Sequence, residues 1–260
     1  MTATTLTGRT TSTASPGGTP ALVVVAHGSR DPRALSTVRA LLHRVRALRP
    51  ALPVHLGHIE LNAPLLPDTL AALGDGEAVL VPLLLSRGYH VKRDIPELAA
   101  ASPARTRVAA PLGPHPLLVD ALHDNLLEAG WPLHAPRDAA VVLASAGSRD
   151  PESRTDTGRT AALLADRLGV PVVPAYASAA APTVPEAVRA LEARGHRRVA
   201  VASYFTAPGR FATECAAAAP WIASAPLGTH AAMARLLLHR YDEALKTGGR
   251  GAERRALALP

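Results

Sequence analysis

A chain of 260 residues, 48% apolar but only 3% aromatic, can bury one large core or two ordinary ones built from Ala, Val and Leu. Its single cysteine, Cys215, excludes an intrachain disulfide and any cysteine-cluster metal site. The net charge of +7 suggests an anionic partner, yet the arginines are scattered at helical spacing with no lysine-rich block or aromatic-interleaved strip, so nucleic acid is not the expected one.

Residues 1–20 read as a disordered Thr/Ser/Gly tail with no apolar stretch to serve as a signal peptide. No run approaches the roughly 20 apolar residues of a membrane helix, so no membrane partner is expected and a cytoplasmic location is. ALVVVA (21–26) is a buried strand. Asp31 and Pro32 then supply an N-cap and a first-turn proline, and Leu35, Val38, Leu41, Leu42, Val45 and Leu48 follow at helical spacing. Next come the strand PVHLGHIE (53–60), a short helix from Leu65, the strand AVLVPLLL (78–85) and a loop, SRGYHVKRD (86–94). A weak strand near Val108 and a helix after PLGPHP (111–116) close the half.

The second half repeats this order. AAVVLAS (139–145) leads into a second GSRDP and a helix ending at Gly169. VPVVPAY (170–176) precedes APTVPEAV, which matches APLLPDTL (63–70). RVAVASYF (198–205) matches AVLVPLLL, and APLGTH (225–230) matches APLGPH (110–115). Four matched segments in one order are an internal duplication. Alternating strands and helices predict an α/β fold of two tandem, doubly wound domains with parallel sheets, over 21–134 and 137–247, the latter followed by a tail over 248–260.

In such sheets ligands bind beyond the carboxyl ends of the strands. Most of the 11 histidines lie elsewhere: His43, His123 and His239 in helices, His196 in a turn. His115 and His230 both follow Leu-Gly at a helix start and share one structural role. His27 ends the first strand, Glu60 ends the second with His58 on the same face, and His90 lies in the loop after the third. Imidazole and carboxylate together suit Fe²⁺, Co²⁺, Ni²⁺ or Zn²⁺. Aligned on the repeat, His27 faces Ala146, Glu60 faces Ser178 and His90 faces Arg210. The candidates are missing from the second copy as a set while Gly, Ser, Arg, Asp and Pro remain. One copy is thus expected to carry chemistry and the other structure.

VVVAHGSRDP, HIELNAPLLPDTL and LLLSRGYHVKRDIP resemble the class II chelatases of the CbiX/SirB type, the sirohydrochlorin chelatases. The resemblance implies two chelatase-like domains with the tetrapyrrole in the cleft between them, as a fused, monomeric long form of a unit that otherwise dimerises. It implies that His27 and His90 bind metal and accept protons, with Glu60 as the acidic residue, and leaves His58 between ligand and strand packing. It implies a divalent metal as substrate, no tightly bound cofactor and no ATP, in keeping with the missing GxxxxGK[ST] loop. For a polycarboxylate ring, Ser29, Arg30, Arg87 and Lys92 are the expected contacts beside the site, with Arg210 on the opposite wall. Fe²⁺ insertion for sirohaem leads and Co²⁺ insertion for cobalamin follows. A non-catalytic metal or tetrapyrrole carrier is the rival, and a Ser29 hydrolase is disfavoured because no GxSxG surrounds it.

Overall fold

A computed structural model describes residues 18–256, with side chains described over 18–247; most of the expected N-terminal tail lies outside this range. All six residues of β1 (Ala21–Ala26) are buried, as a strand covered on both faces requires. It pairs in parallel with β2 (Val54–His58) and β3 (Glu77–Pro82), and β3 pairs with β4 (Arg105–Val108). The order is β2-β1-β3-β4. The second sheet, from β5 (Ala139–Ser145), β6 (Val172–Tyr176), β7 (Arg198–Ser203) and β8 (Ile222–Ala223), has the order β6-β5-β7-β8.

Helices α1 (Pro32–Leu48) and α5 (Pro151–Leu168) begin alike. Asp31 accepts a bond from the Arg33 amide and Asp150 from the Glu152 amide, each at 2.9 Å. Such a cap contributes about 1 kcal/mol. Val38, Leu41, Leu42 and Val45 are the buried stripe of α1, and α5 stops at Gly169, whose φ of 68° is the left-handed terminator. Shorter helices follow in each half: α2 (Leu66–Ala72) and α3 (Ile95–Ala100), then α6 (Val184–Glu192) and α7 (Arg210–Ala217).

One segment departs from the sequence reading. SRGYHVKRD is not all loop, because His90–Asp94 forms a π-helical turn running directly into α3. Four of its five side chains are polar and none is buried, so it carries no periodic signal. Ile95, fully buried at the start of α3, anchors it.

The last helix of each half crosses to the other. Helix α4 (Pro116–Glu128) packs on α5 and β7, whereas α8 (Ala231–Ala256) packs on α1, β3 and β4, and the two helices pack on each other. One continuous core therefore includes Leu22 and Val81 of the first sheet, Leu143 and Ala202 of the second, and Leu122 and Leu237 of the exchanged helices. Helix α8 also runs past residue 247, where the sequence reading ends the second domain. As expected, His115 and His230 repeat one role: their Nδ1 atoms accept the Leu117 and Ala232 amides at the starts of α4 and α8, at 3.1 and 3.2 Å. No described helix is long and apolar enough to cross a membrane.

Candidate active site

The crossovers from β1 and β3 diverge, so the carboxyl ends of those neighbouring strands open a crevice. His27 follows β1, and His90 begins the π-helical turn after β3. Their rings meet edge to face, with centroids 4.6 Å apart and planes at 88°. Glu60 lies two residues beyond the end of β2 rather than within the strand. Its amide donates to the His27 carbonyl at 3.0 Å, and its Oε1 stands 3.5 Å from His27 Nδ1. The three side chains are 41%, 36% and 53% exposed for His27, His90 and Glu60, so all three reach solvent.

Asp94, absent from the sequence candidates, pairs with His90. The only sequence sign of it is its place four residues after His90; the His90 Nδ1–Asp94 Oδ2 distance is 2.5 Å. Among the described residues, no group of three or more His, Cys, Asp or Glu is arranged to hold a metal ion. The expected trio is therefore a histidine pair with a carboxylate at its side, not a closed cage. Structural metal sites are closed, whereas sites that pass a metal or substrate keep open positions.

The repeat explains why GSRDP occurs twice. Gly28 has φ 104°, and a Cβ there would lie 1.9 Å from the Glu60 carbonyl oxygen. Gly147 has φ 89°, and its Cβ would lie 1.9 Å from the Ser178 carbonyl oxygen. Only glycine lets these loops touch. The Oγ atoms of Ser29 and Ser148 accept the Asp31 and Asp150 amides, each at 3.1 Å, before the Asp caps. Gly, Ser, Asp and Pro thus build a strand-to-helix turn in both halves, and the imidazole is an addition to one. Ser29 also donates its amide to Asn62 Oδ1 at 2.7 Å, a contact with no motif to announce it.

The site opens into a cleft of about 1340 Å³ lined by both halves, with Ser29, Arg30, Tyr89 and His90 on one side and Ser148, Phe205 and Arg210 on the other. The Arg210 side chain is 75% exposed, 3.6 Å from Glu214 and 4.7 Å from the Phe211 ring. Arg87 and Lys92 lie elsewhere: neither lines the cleft. Arg87 forks onto Asp156 with bonds of 2.9 and 2.6 Å and reaches Glu152 at 3.1 Å, while Lys92 pairs with Asp150 at 2.7 Å and with Glu152. Sequence position beside His90 suggests substrate contacts; the fold instead puts Asp150, Glu152 and Asp156 at the start of α5 against these cations. His58 is buried, with Nδ1 donating to the Pro64 carbonyl at 3.1 Å. Burial pushes its pKa down. That is strand packing.

Two parallel α/β halves that share a core and close a cleft beside one histidine pair define a duplicated, asymmetric α/β protein. The sequence model of the CbiX family matches residues 21–129 and 140–244, and the chain belongs to that family. The sirohydrochlorin ferrochelatase of Bacillus subtilis is 31% identical over 182 residues, covering 66% of this chain and 68% of that protein. The sirohydrochlorin cobaltochelatase of Priestia megaterium is 27% identical over 202 residues, covering 72% and 64%. The solved structure of SirB from Bacillus subtilis with Fe³⁺ matches with a TM-score of 0.73 at 26% identity, covering 88% of this chain and 97% of that one.

Proposed function

We propose that this protein inserts a divalent metal into sirohydrochlorin without ATP, with Fe²⁺ as the leading substrate and Co²⁺ as the second. The observation that carries the reading is the His27–His90 pair, 4.6 Å apart, with Glu60 beside it at the mouth of a cleft of about 1340 Å³. Relatives named for both metals support it.

Metallating a free tetrapyrrole requires removing two pyrrole N–H protons while a dehydrated cation reaches the ring centre. Imidazole is the side chain suited to hold a borderline metal or accept a proton near neutral pH. In this reading His27 and His90 hold the metal through their free ring nitrogens and, as it passes to the tetrapyrrole, those nitrogens take up the two pyrrole protons, while Glu60 attracts the cation and passes protons to solvent. Arg30 and Arg210 face the cleft from opposite halves and engage ring carboxylates, with Ser29 shaping the turn beneath. The metal is a substrate, and no resident cofactor takes part. Ala146, Ser178 and Arg210 at the repeat positions leave one metal site per chain, the second half serving as wall and clamp. Both walls come from one chain, so the working unit is a monomer, located in the cytoplasm.

An anaerobic assay of the purified chain with sirohydrochlorin and Fe²⁺, Co²⁺ or Ni²⁺, read by macrocycle absorbance, tests the proposal. Catalytic insertion that His27→Ala and His90→Ala each largely abolish is the expected result. Stoichiometric binding without turnover would make the protein a carrier.

A further inference from the structure

The duplication places a second pair of residues at equivalent positions: His90 and Asp94 in the first half, Arg210 and Glu214 in the second. Both are a cation-capable side chain followed four residues later by a carboxylate. Their geometry differs. His90 and Asp94 span the π-helical turn and approach to 2.5 Å, with side chains 36% and 27% exposed. Arg210 and Glu214 sit on the regular helix α7, 3.6 Å apart, at 75% and 55%. The wider turn, a feature frequent at functional sites, is confined to the copy that carries the imidazole.

Asp94 has no helix-capping duty to explain it. Its backbone is already helical, at φ −59° and ψ −48°, and its side chain bonds no helix amide. Among the described residues its carboxylate has one polar side-chain partner, His90. A carboxylate that accepts this bond places the proton on Nδ1 of His90 and the lone pair on Nε2. That leaves Nε2 as the one ring nitrogen able to take a metal.

We propose that Asp94 is a positioning residue that acts through His90, fixing its tautomer and ring orientation so that Nε2 meets the metal beside His27. The inference rests on the chelatase reading only in taking His90 as a metal contact. Carboxylates behind metal-binding histidines typically matter about 10–100-fold in affinity or activity.

The test is Co²⁺ titration of the full chain without tetrapyrrole, by calorimetry and the visible absorption of bound cobalt, with His90→Ala as benchmark. Asp94→Ala is expected to weaken Co²⁺ binding about 10–100-fold. Asp94→Asn, whose amide oxygen still accepts the bond, should weaken it less. The double variant His90→Ala/Asp94→Ala should bind no more weakly than His90→Ala alone. Histidine ¹⁵N spectra should show one His90 tautomer in the parent and a mixture in Asp94→Ala, a change that a merely structural role does not produce. Parental affinity in Asp94→Ala beside a weakened His90→Ala, or additive losses in the double variant, would overturn the positioning role. Undiminished affinity in His90→Ala would overturn it too, and would locate the failure in the site assignment instead.

Discussion

Replacing Arg87 with alanine removes the cation that faces Asp156, whose side chain is only 1% exposed. The guanidinium bonds of 2.9 and 2.6 Å to Asp156 and 3.1 Å to Glu152 disappear, while the Arg87 amide bond to Asp156 at 3.0 Å survives. Stranding one member of a buried ion pair costs about 3–5 kcal/mol. Because Arg87 itself is 37% exposed and partly screened, the low end applies, about 3 kcal/mol. For a chain of this size that is a fall in Tm of about 6–12 °C. The pH dependence gives a second handle. Burial pushes the Asp156 carboxyl up, but Arg87's hydrogen bonds and charge outweigh it and hold the pKa below the ordinary 3.8. A depressed folded-state pKa means stability that is present above the ordinary value and lost as pH falls through the lowered one. Without the guanidinium, burial is opposed only by the surviving residue-87 amide bond and the Arg159 charge, so the folded pKa rises and the ionised carboxylate loses its stabilisation as pH increases. Calorimetric melts should therefore show the variant's deficit at its largest near neutral pH and shrinking as the pH approaches about 4. A Tm within about 2 °C of the parent at neutral pH, or a deficit that does not shrink in acid, would refute the reasoning.

Gly28→Ala and Gly147→Ala should each cost at least about 1–3 kcal/mol in denaturant titrations, since a Cβ meets a carbonyl oxygen at a positive φ in both. Only Gly28→Ala should also impair metal binding, by displacing Glu60. His115→Ala should cost about 1 kcal/mol through loss of the α4 cap, with His115→Asn retaining most of it. Burial lowers the His115 pKa below 6.5, so its contribution is full above that value and lost as pH falls through the lowered one, which melts at mildly acidic and alkaline pH will reveal. Arg210→Ala should weaken tetrapyrrole binding several-fold in fluorescence titrations while metal stoichiometry stays at one per chain. Two equivalent metal sites in the parent would contradict the asymmetry of the repeat.

The duplication, the strands and the placement of His27 and His90 after β1 and β3 were legible in the sequence because each has a local cause. An all-apolar run such as ALVVVA reads directly as a strand buried on both faces. GSRDP packs a tight turn, a hydroxyl bond and an Asp cap into five residues, and the second copy shows which functions belong to the turn and which to the imidazole. Tertiary structure alone decided the rest. Helices α4 and α8 each pack against the other half, a partner that the apolar spacing of neither helix names. The assembled fold also brings Asp150, Glu152 and Asp156 to Arg87 and Lys92, turning cations that neighbour His90 in sequence into ion pairs between the halves. Asp94 meets His90 across a π-helical turn that ends at the buried Ile95, a geometry that the spacing of the segment's own side chains does not encode.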